Sequence, residues 1–259
     1  MRTTRIIAFA NHKGGVGKTT TTASVGSILA QKGFKVLVID MDAQANLTGS
    51  LLKIRPDDDE PEQTIYHALT GRCALPYISI NGNLSICPAS LQLAMVDSEL
   101  ASAIARERIL SNLLTDKVKE QFDFILIDCP PSLGLVTLNA ITACTDIIIP
   151  LVAEILPFKG LTMINNFVNQ VHSLLNANAH ISGILITRWE STKLSRTVEN
   201  LLRQQLGDTV FTTKIRKNVS VAEAPLEAQN IAEYAPKSNG AADYRQFTDE
   251  MLVKLGVKV

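Results

Sequence analysis

Apolar residues along this chain fall into two rhythms. Unbroken runs of strand length recur at Ile6–Ala10, Val36–Met41, Leu84–Cys87, Phe124–Asp128, Ile147–Leu151 and Ile181–Thr187, with a weaker one at Val210–Ile215. Runs without polar alternation predict strands covered on both faces. Between them lie longer stretches of helical period: Lys18–Lys32, Ile65–Leu69, Ala105–Gln121, Leu135–Ala143, Phe158–Leu175, Ser195–Leu206 and Ala241–Lys254. The alternation predicts an α/β fold, a doubly wound and mostly parallel sheet with helices on both faces. No internal repeat and no Gly/Ser-rich or Pro-rich linker interrupts it, so one domain is expected over residues 1–259. The acidic stretch 55–63 is the best place for a mobile loop.

Composition changes this picture little. Hydrophobic residues make up 46% and charged residues 19% of the 259, which fits a folded chain with a large core. The 25 basic and 25 acidic residues cancel, so net charge offers no pointer to nucleic acid. Locally the balance differs: Arg188 to Lys217 holds seven Lys/Arg against three Asp/Glu. Such a run reads equally as a solvated surface or as a phosphate-contacting one. Cys73, Cys87, Cys129 and Cys144 show no metal-ligand spacing, and nothing suggests a disulfide framework. The apolar run Ile6–Ala10 is too short for a signal peptide or a membrane span, so a cytoplasmic location is the expectation. A first strand within the first ten residues leaves no expectation of a DNA-reading domain ahead of it.

The chemistry concentrates at residues 13–20, Lys-Gly-Gly-Val-Gly-Lys-Thr-Thr, between a predicted strand and a predicted helix. In the frame G-x-x-x-x-G-K-[ST] the closing triplet is Gly17-Lys18-Thr19, and His12 stands where the first glycine usually falls. Gly14, Gly15 and Gly17, with Val16 between them, let backbone N–H groups curl around an anion. The following helix points its positive end at the same place. Lys18 can reach the β- and γ-phosphates, the Thr19 hydroxyl can bind Mg²⁺, and Thr20 is placed for the α-phosphate. A plain glycine-rich turn would not explain lysine and hydroxyl in the same frame. Lys13 adds little to its own site. It makes sense as a cation that crosses a dimer interface to a neighbour's nucleotide, as an arginine finger does, or else as a solvated lysine.

These residues resemble the ParA/Soj-type partition ATPases of the ParA/MinD P-loop family, whose loop has the deviant form K-G-G-x-G-K-[ST]. VLVIDMDAQAN at Val36–Asn46 is similar to the family's strand ending in D-x-D-P-Q-x-N, with Ala43 in place of the proline. ILIDCPPSLG at Ile125–Gly134 and Thr137–Ala140 resemble its second carboxylate motif. NVSVAEAP at Asn218–Pro225 and the stretch from Tyr234 to Ala241 resemble its C-terminal motifs. The likeness runs from residue 5 to about residue 250. Arg216 replaces a proline near the base, Ser220 replaces an arginine associated with DNA contact, and Glu154–Gly160 departs from the usual pattern.

The resemblance implies roles. Asp42 would orient the attacking water, with Lys13 and Lys18 assisting phosphoryl transfer. Asp128 would hold Mg²⁺ through water. Asp40 would assist it, or serve as a structural carboxylate bonded to loop N–H groups. The base would rest against Thr187–Arg188 and Ile215–Asn218, with Arg188, Arg216 and Asn218 as contacts. The implied cofactors are ATP and Mg²⁺. The implied activity is an ATP-dependent sandwich homodimer that binds DNA without sequence preference, acts at the nucleoid and is stimulated by a ParB-like adaptor. Lys193, Arg196, Arg203, Lys214, Arg216 and Lys217 could supply the DNA surface. Two alternatives share the same cycle: positioning of a non-DNA cargo, and MinD-like membrane cycling. The tail Phe247–Val259 lacks the basic amphipathic face that interfacial binding needs, so no stable membrane association is expected.

Overall fold

The computed structural model describes residues 4–54, 60–154 and 157–257. Residues 55–59 of the acidic stretch, expected to form a mobile loop, lie outside it. Along the chain run β1 (Arg5–Phe9), α1 (Lys18–Gln31), β2 (Val36–Asp40), α2 (Asn46–Leu52), α3 (Ile65–Leu69), β3 (Ile78–Asn81), β4 (Leu84–Cys87), α4 (Val96–Glu99), α5 (Ile109–Leu113) and α6 (Asp116–Lys119). There follow β5 (Phe124–Asp128), α7 (Leu135–Ala143), β6 (Asp146–Val152), α8 (Pro157–Leu174), β7 (His180–Trp189), α9 (Lys193–Leu206), β8 (Val210–Arg216), α10 (Val219–Glu223), α11 (Ile231–Tyr234) and α12 (Asn239–Lys254).

The eight strands form one sheet in the order β3-β4-β2-β5-β1-β6-β7-β8. Every neighbouring pair is parallel except β3 with β4. Unbroken apolar runs are explained by burial on both faces. In β1, Ile6 and Ala8 join one core while Ile7 and Phe9 join the other, and β2 and β5 divide in the same way. Helices α1 and α12 cover one face, and α7, α8 and α9 the other. This is the doubly wound P-loop fold expected from the alternation.

Two expectations are corrected. The segment Ala105–Gln121 is not one helix. It breaks at Leu114, where ψ is 63°, and Thr115 caps a new short helix by accepting from the Val118 N–H. Strand β3 was not expected, because Ile-Ser-Ile-Asn is a largely exposed edge with no apolar run.

Register places the chemistry. Asp40 and Asp128 are direct partners across β2 and β5, and Phe9 pairs with Asp128 across β1 and β5. Both carboxylates and the start of the phosphate loop therefore share the carboxyl edge of the central strands, where open α/β sheets bind ligands.

Candidate nucleotide site

The loop between β1 and α1 is pinned from outside. Asn11 donates its amide to the Pro150 carbonyl at 2.7 Å and accepts from the Lys13 N–H at 3.1 Å. The Thr187 hydroxyl donates to the Val16 carbonyl at 2.8 Å. Gly15 and Gly17 adopt φ of 71° and 86°, the left-handed region that a side chain would strain. Gly17 is the N-cap of α1, and no side chain caps it, so the first-turn N–H groups of this 14-residue helix are free for an anion. Helix α1 is buried along most of its length despite its threonines and serines. Their hydroxyls turn back on the helix: Thr22 donates to the Lys18 carbonyl at 3.0 Å and Ser24 to that of Thr20 at 2.6 Å.

Ten of the expected residues line one cavity of about 750 Å³: Gly14, Gly15, Gly17, Lys18, Thr19, Thr20, Asp42, Arg188, Arg216 and Asn218. Lys13, Val16, Asp40 and Asp128 do not. Val16 is buried beneath the loop, and the Lys13 ammonium pairs with Glu154, both side chains being about half exposed. Gln44, Asn46 and Tyr244 also line the cavity and were missed. Gln44 and Asn46 stood inside the quoted D-x-D-x-Q-x-N pattern without a role. Tyr244 lies in the terminal helix, and no local signal connects it to the loop.

Burial acts on two carboxylates, Asp128 and Asp40. Asp128 is fully buried, and burial followed by the Asp40 charge pushes its pKa well up, against the Thr19 hydroxyl and Lys18. Its Oδ1 accepts from the Thr22 hydroxyl at 3.4 Å, and its buried Oδ2 has no hydrogen-bond partner among the described residues. An unpartnered carboxylate oxygen beside the Thr19 hydroxyl and a glycine-rich anion cradle fits a hydrated Mg²⁺. Asp40, expected among the Mg²⁺ partners, instead bonds loop donors through both oxygens. Oδ1 accepts from the Asp42 N–H, and Oδ2 from the Thr48 N–H and hydroxyl. That matches the structural alternative and makes it the anchor of the loop carrying Asp42. Burial raises its pKa to about 6 despite those bonds. Burial also lowers the pKa of Lys18, against the supporting charges of Asp128 and Asp42.

Of the six cations expected at a DNA surface, four are ion-paired in the fold. Lys214 and Arg203 both pair with Glu199, Arg216 with Asp243, and Lys217 with Glu190. Lys193 and Arg196, in the first turn of α9, carry no ion pair among the described residues, and the Arg196 guanidinium donates to Ser191.

With this geometry in hand, the comparisons with known proteins are specific. The family described as "AAA domain" matches residues 4–181. The sporulation initiation inhibitor protein Soj of Bacillus subtilis (strain 168) is 39% identical over 251 residues, covering 95% of this chain and 98% of that protein. The chromosome-partitioning ATPase Soj of Treponema pallidum (strain Nichols) is 37% identical, covering 97% and 98%. The chain belongs to the ParA/Soj-type P-loop ATPases. A solved structure shares the fold: a cobyrinic acid a,c-diamide synthase from Mycobacterium smegmatis with bound ATP analog and magnesium. It superposes with a TM-score of 0.84 at 33% identity, covering 98% of this chain and 96% of that one. As a member of this family the chain is a partition-type ATP hydrolase. No helix among the described residues is long and apolar enough to cross a membrane.

Proposed function

We propose that this ParA/Soj-type ATPase forms a dimer on binding ATP and Mg²⁺, holds DNA without sequence preference in that state, and is discharged by a ParB-like adaptor. The observation that carries the reading is the convergence of the free α1 N-terminus, Lys18, Thr19 and Asp42 on one cavity, with the unpartnered oxygen of Asp128 buried behind Lys18 and Thr19. Backbone N–H groups and Lys18 hold the phosphates. Thr19 directly and Asp128 through water would hold Mg²⁺, which neutralises charge on the β- and γ-phosphate oxygens when bound. Asp42 reaches the same cavity from the Asp40-anchored loop, where it can orient the attacking water. Lys13 lies outside the cavity on an exposed pair, which supports a role toward a second copy's nucleotide. Lys193 and Arg196 are the leading cations for DNA phosphates.

The deciding experiment compares binding to two unrelated duplexes with ATP, with ADP and without nucleotide. Binding to both duplexes with ATP alone, weakening steeply with salt, is the expected result. Indifference to DNA in the ATP state at low salt would overturn it.

A further inference from the structure

We propose that Asp243 is a positioning residue for the nucleotide base, fixing Arg216 and so the pocket wall built by residues 215–221. The inference rests on the nucleotide-site reading above and assigns a residue outside the cavity lining. Gly14, Gly15, Gly17 and Lys18 of the phosphate loop line the cavity, and Ile215, Val219 and Val221 give the same cavity an apolar lining suited to a flat base. Arg216 ends β8 and lines the same cavity. Its backbone N–H donates to Asp243 Oδ2 at 3.0 Å, Nε to the same oxygen at 2.9 Å, and a terminal nitrogen to Oδ1 at 2.6 Å. A carboxylate that grips both the main chain and the guanidinium of one residue fixes its backbone as well as its side chain. The Asp243 side chain is 8% exposed and that of Arg216 45%, so the grip is anchored in the fold and presented to the pocket.

Two neighbours on the same face of α12 reinforce this assignment, since positions three and four apart lie together. A Cβ at Gly240 would come within 2.4 Å of Val221 Cγ2, so only glycine lets the helix approach the apolar wall this closely. The Tyr244 hydroxyl lies 3.2 Å from the Thr21 hydroxyl in the first turns of α1. Gly240, Asp243 and Tyr244 thus hold the base wall and the phosphate-loop helix at a fixed separation through one turn of helix. A wall set this way controls the affinity of anything carrying a base and leaves the phosphate contacts alone.

The test measures Kd for ATP and for inorganic tripolyphosphate, each with Mg²⁺, in the wild type, D243N and R216A. R216A removes the three side-chain bonds at a half-exposed position and keeps the backbone bond, so it remains informative if D243N does not fold. ATP binding should weaken about tenfold in either folded variant. Tripolyphosphate binding should stay at the wild-type value. In D243N, KM for ATP should rise with kcat at saturation unchanged. Unchanged ATP affinity, or equal losses for ATP and tripolyphosphate, would overturn the inference. So would failure of R216A to fold, since the pair would then be holding the domain and not the pocket. If the wild type binds neither compound, the nucleotide-site reading fails. If it binds both and the variants match it, only the role of Asp243 fails.

Discussion

The Lys18 ammonium donates to the main-chain oxygen of Lys13 at 3.1 Å, so the phosphate lysine is tied to the opposite end of its own loop. The group is only 6% exposed, and burial lowers its pKa. A buried ammonium held by one carbonyl gains most when an anion completes its shell. Lys18→Ala should therefore weaken ATP binding at least about 100-fold. Equilibrium titration with a fluorescent ATP analogue checks it, and near-normal affinity would remove Lys18 from the phosphate site.

Lys13 and Glu154 form an ion pair whose partners are 52% and 54% exposed. Exposed pairs of this kind contribute little, so releasing Lys13 toward a second copy costs little. If Lys13 acts across the dimer, a protein lacking Lys13 and one lacking Asp42 can repair each other. Lys13→Ala should hydrolyse ATP slowly, and Asp42→Ala should bind ATP yet turn over at least about 100-fold more slowly. Mixed together, they build one site with an intact Asp42 and a Lys13 supplied by the partner. Turnover of the mixture should then exceed the sum of the separate rates. A mixture no faster than that sum would confine Lys13 to its own subunit.

The phosphate loop and the central strands were legible because their signals are local. Glycine, lysine and hydroxyl fall in a fixed frame, and β2 and β5 are apolar up to their closing aspartates because both faces are covered. The strand β3 was hidden because an exposed edge needs no apolar run. The break at Leu114 had a signal in Thr115-Asp116, a helix-start pair, but the apolar period on both sides masked it. Tyr244 is the clearest case of what no local pattern reveals. Its hydroxyl meets Thr21 only because α12 packs on α1, and burial raises its pKa to about 12, so it remains a neutral donor. The cationic stretch was legible as charge but not as ion pairs, because Glu199, Glu190 and Asp243 come together with their partners only in the fold.

Glu199 receives both Arg203 and Lys214 at 3.1 and 2.6 Å, and Lys214 also lies 4.2 Å from the centre of the Trp189 ring. Burial alone would raise the pKa of Glu199, but hydrogen bonds from Lys214 and Arg203 prevail and hold it below the usual value. A carboxylate lowered in the folded state binds fewer protons there than when unfolded. Its stabilisation is therefore present above the unfolded pKa of about 4.3 and is lost as pH falls through the folded value. Glu199→Gln should destabilise by about 2 kcal/mol at pH 7. Thermal melts should show Tm lower by roughly 4–8 °C there. The gap should close as pH falls below the unfolded value. A gap that persisted undiminished under acid conditions would show that shape, not charge, makes Glu199 matter.

The same pairing sharpens what to expect of DNA. The Arg203 guanidinium bonds Glu199 and the carbonyls of Val210 and Phe211, so removing it should act on the fold. Lys193 and Arg196 have no such commitment to an acidic partner among the described residues. Each cation that neutralises a phosphate steepens the fall of log K with log salt by about 0.9. The double change Lys193→Ala, Arg196→Ala should therefore flatten that slope by about 2 while leaving ATP turnover without DNA unchanged. Arg203→Ala should lower Tm and leave the slope where it was. Fluorescence anisotropy over a salt series separates the two patterns. A flattened slope in Arg203→Ala with none in the α9 double variant would move the DNA surface away from the start of α9.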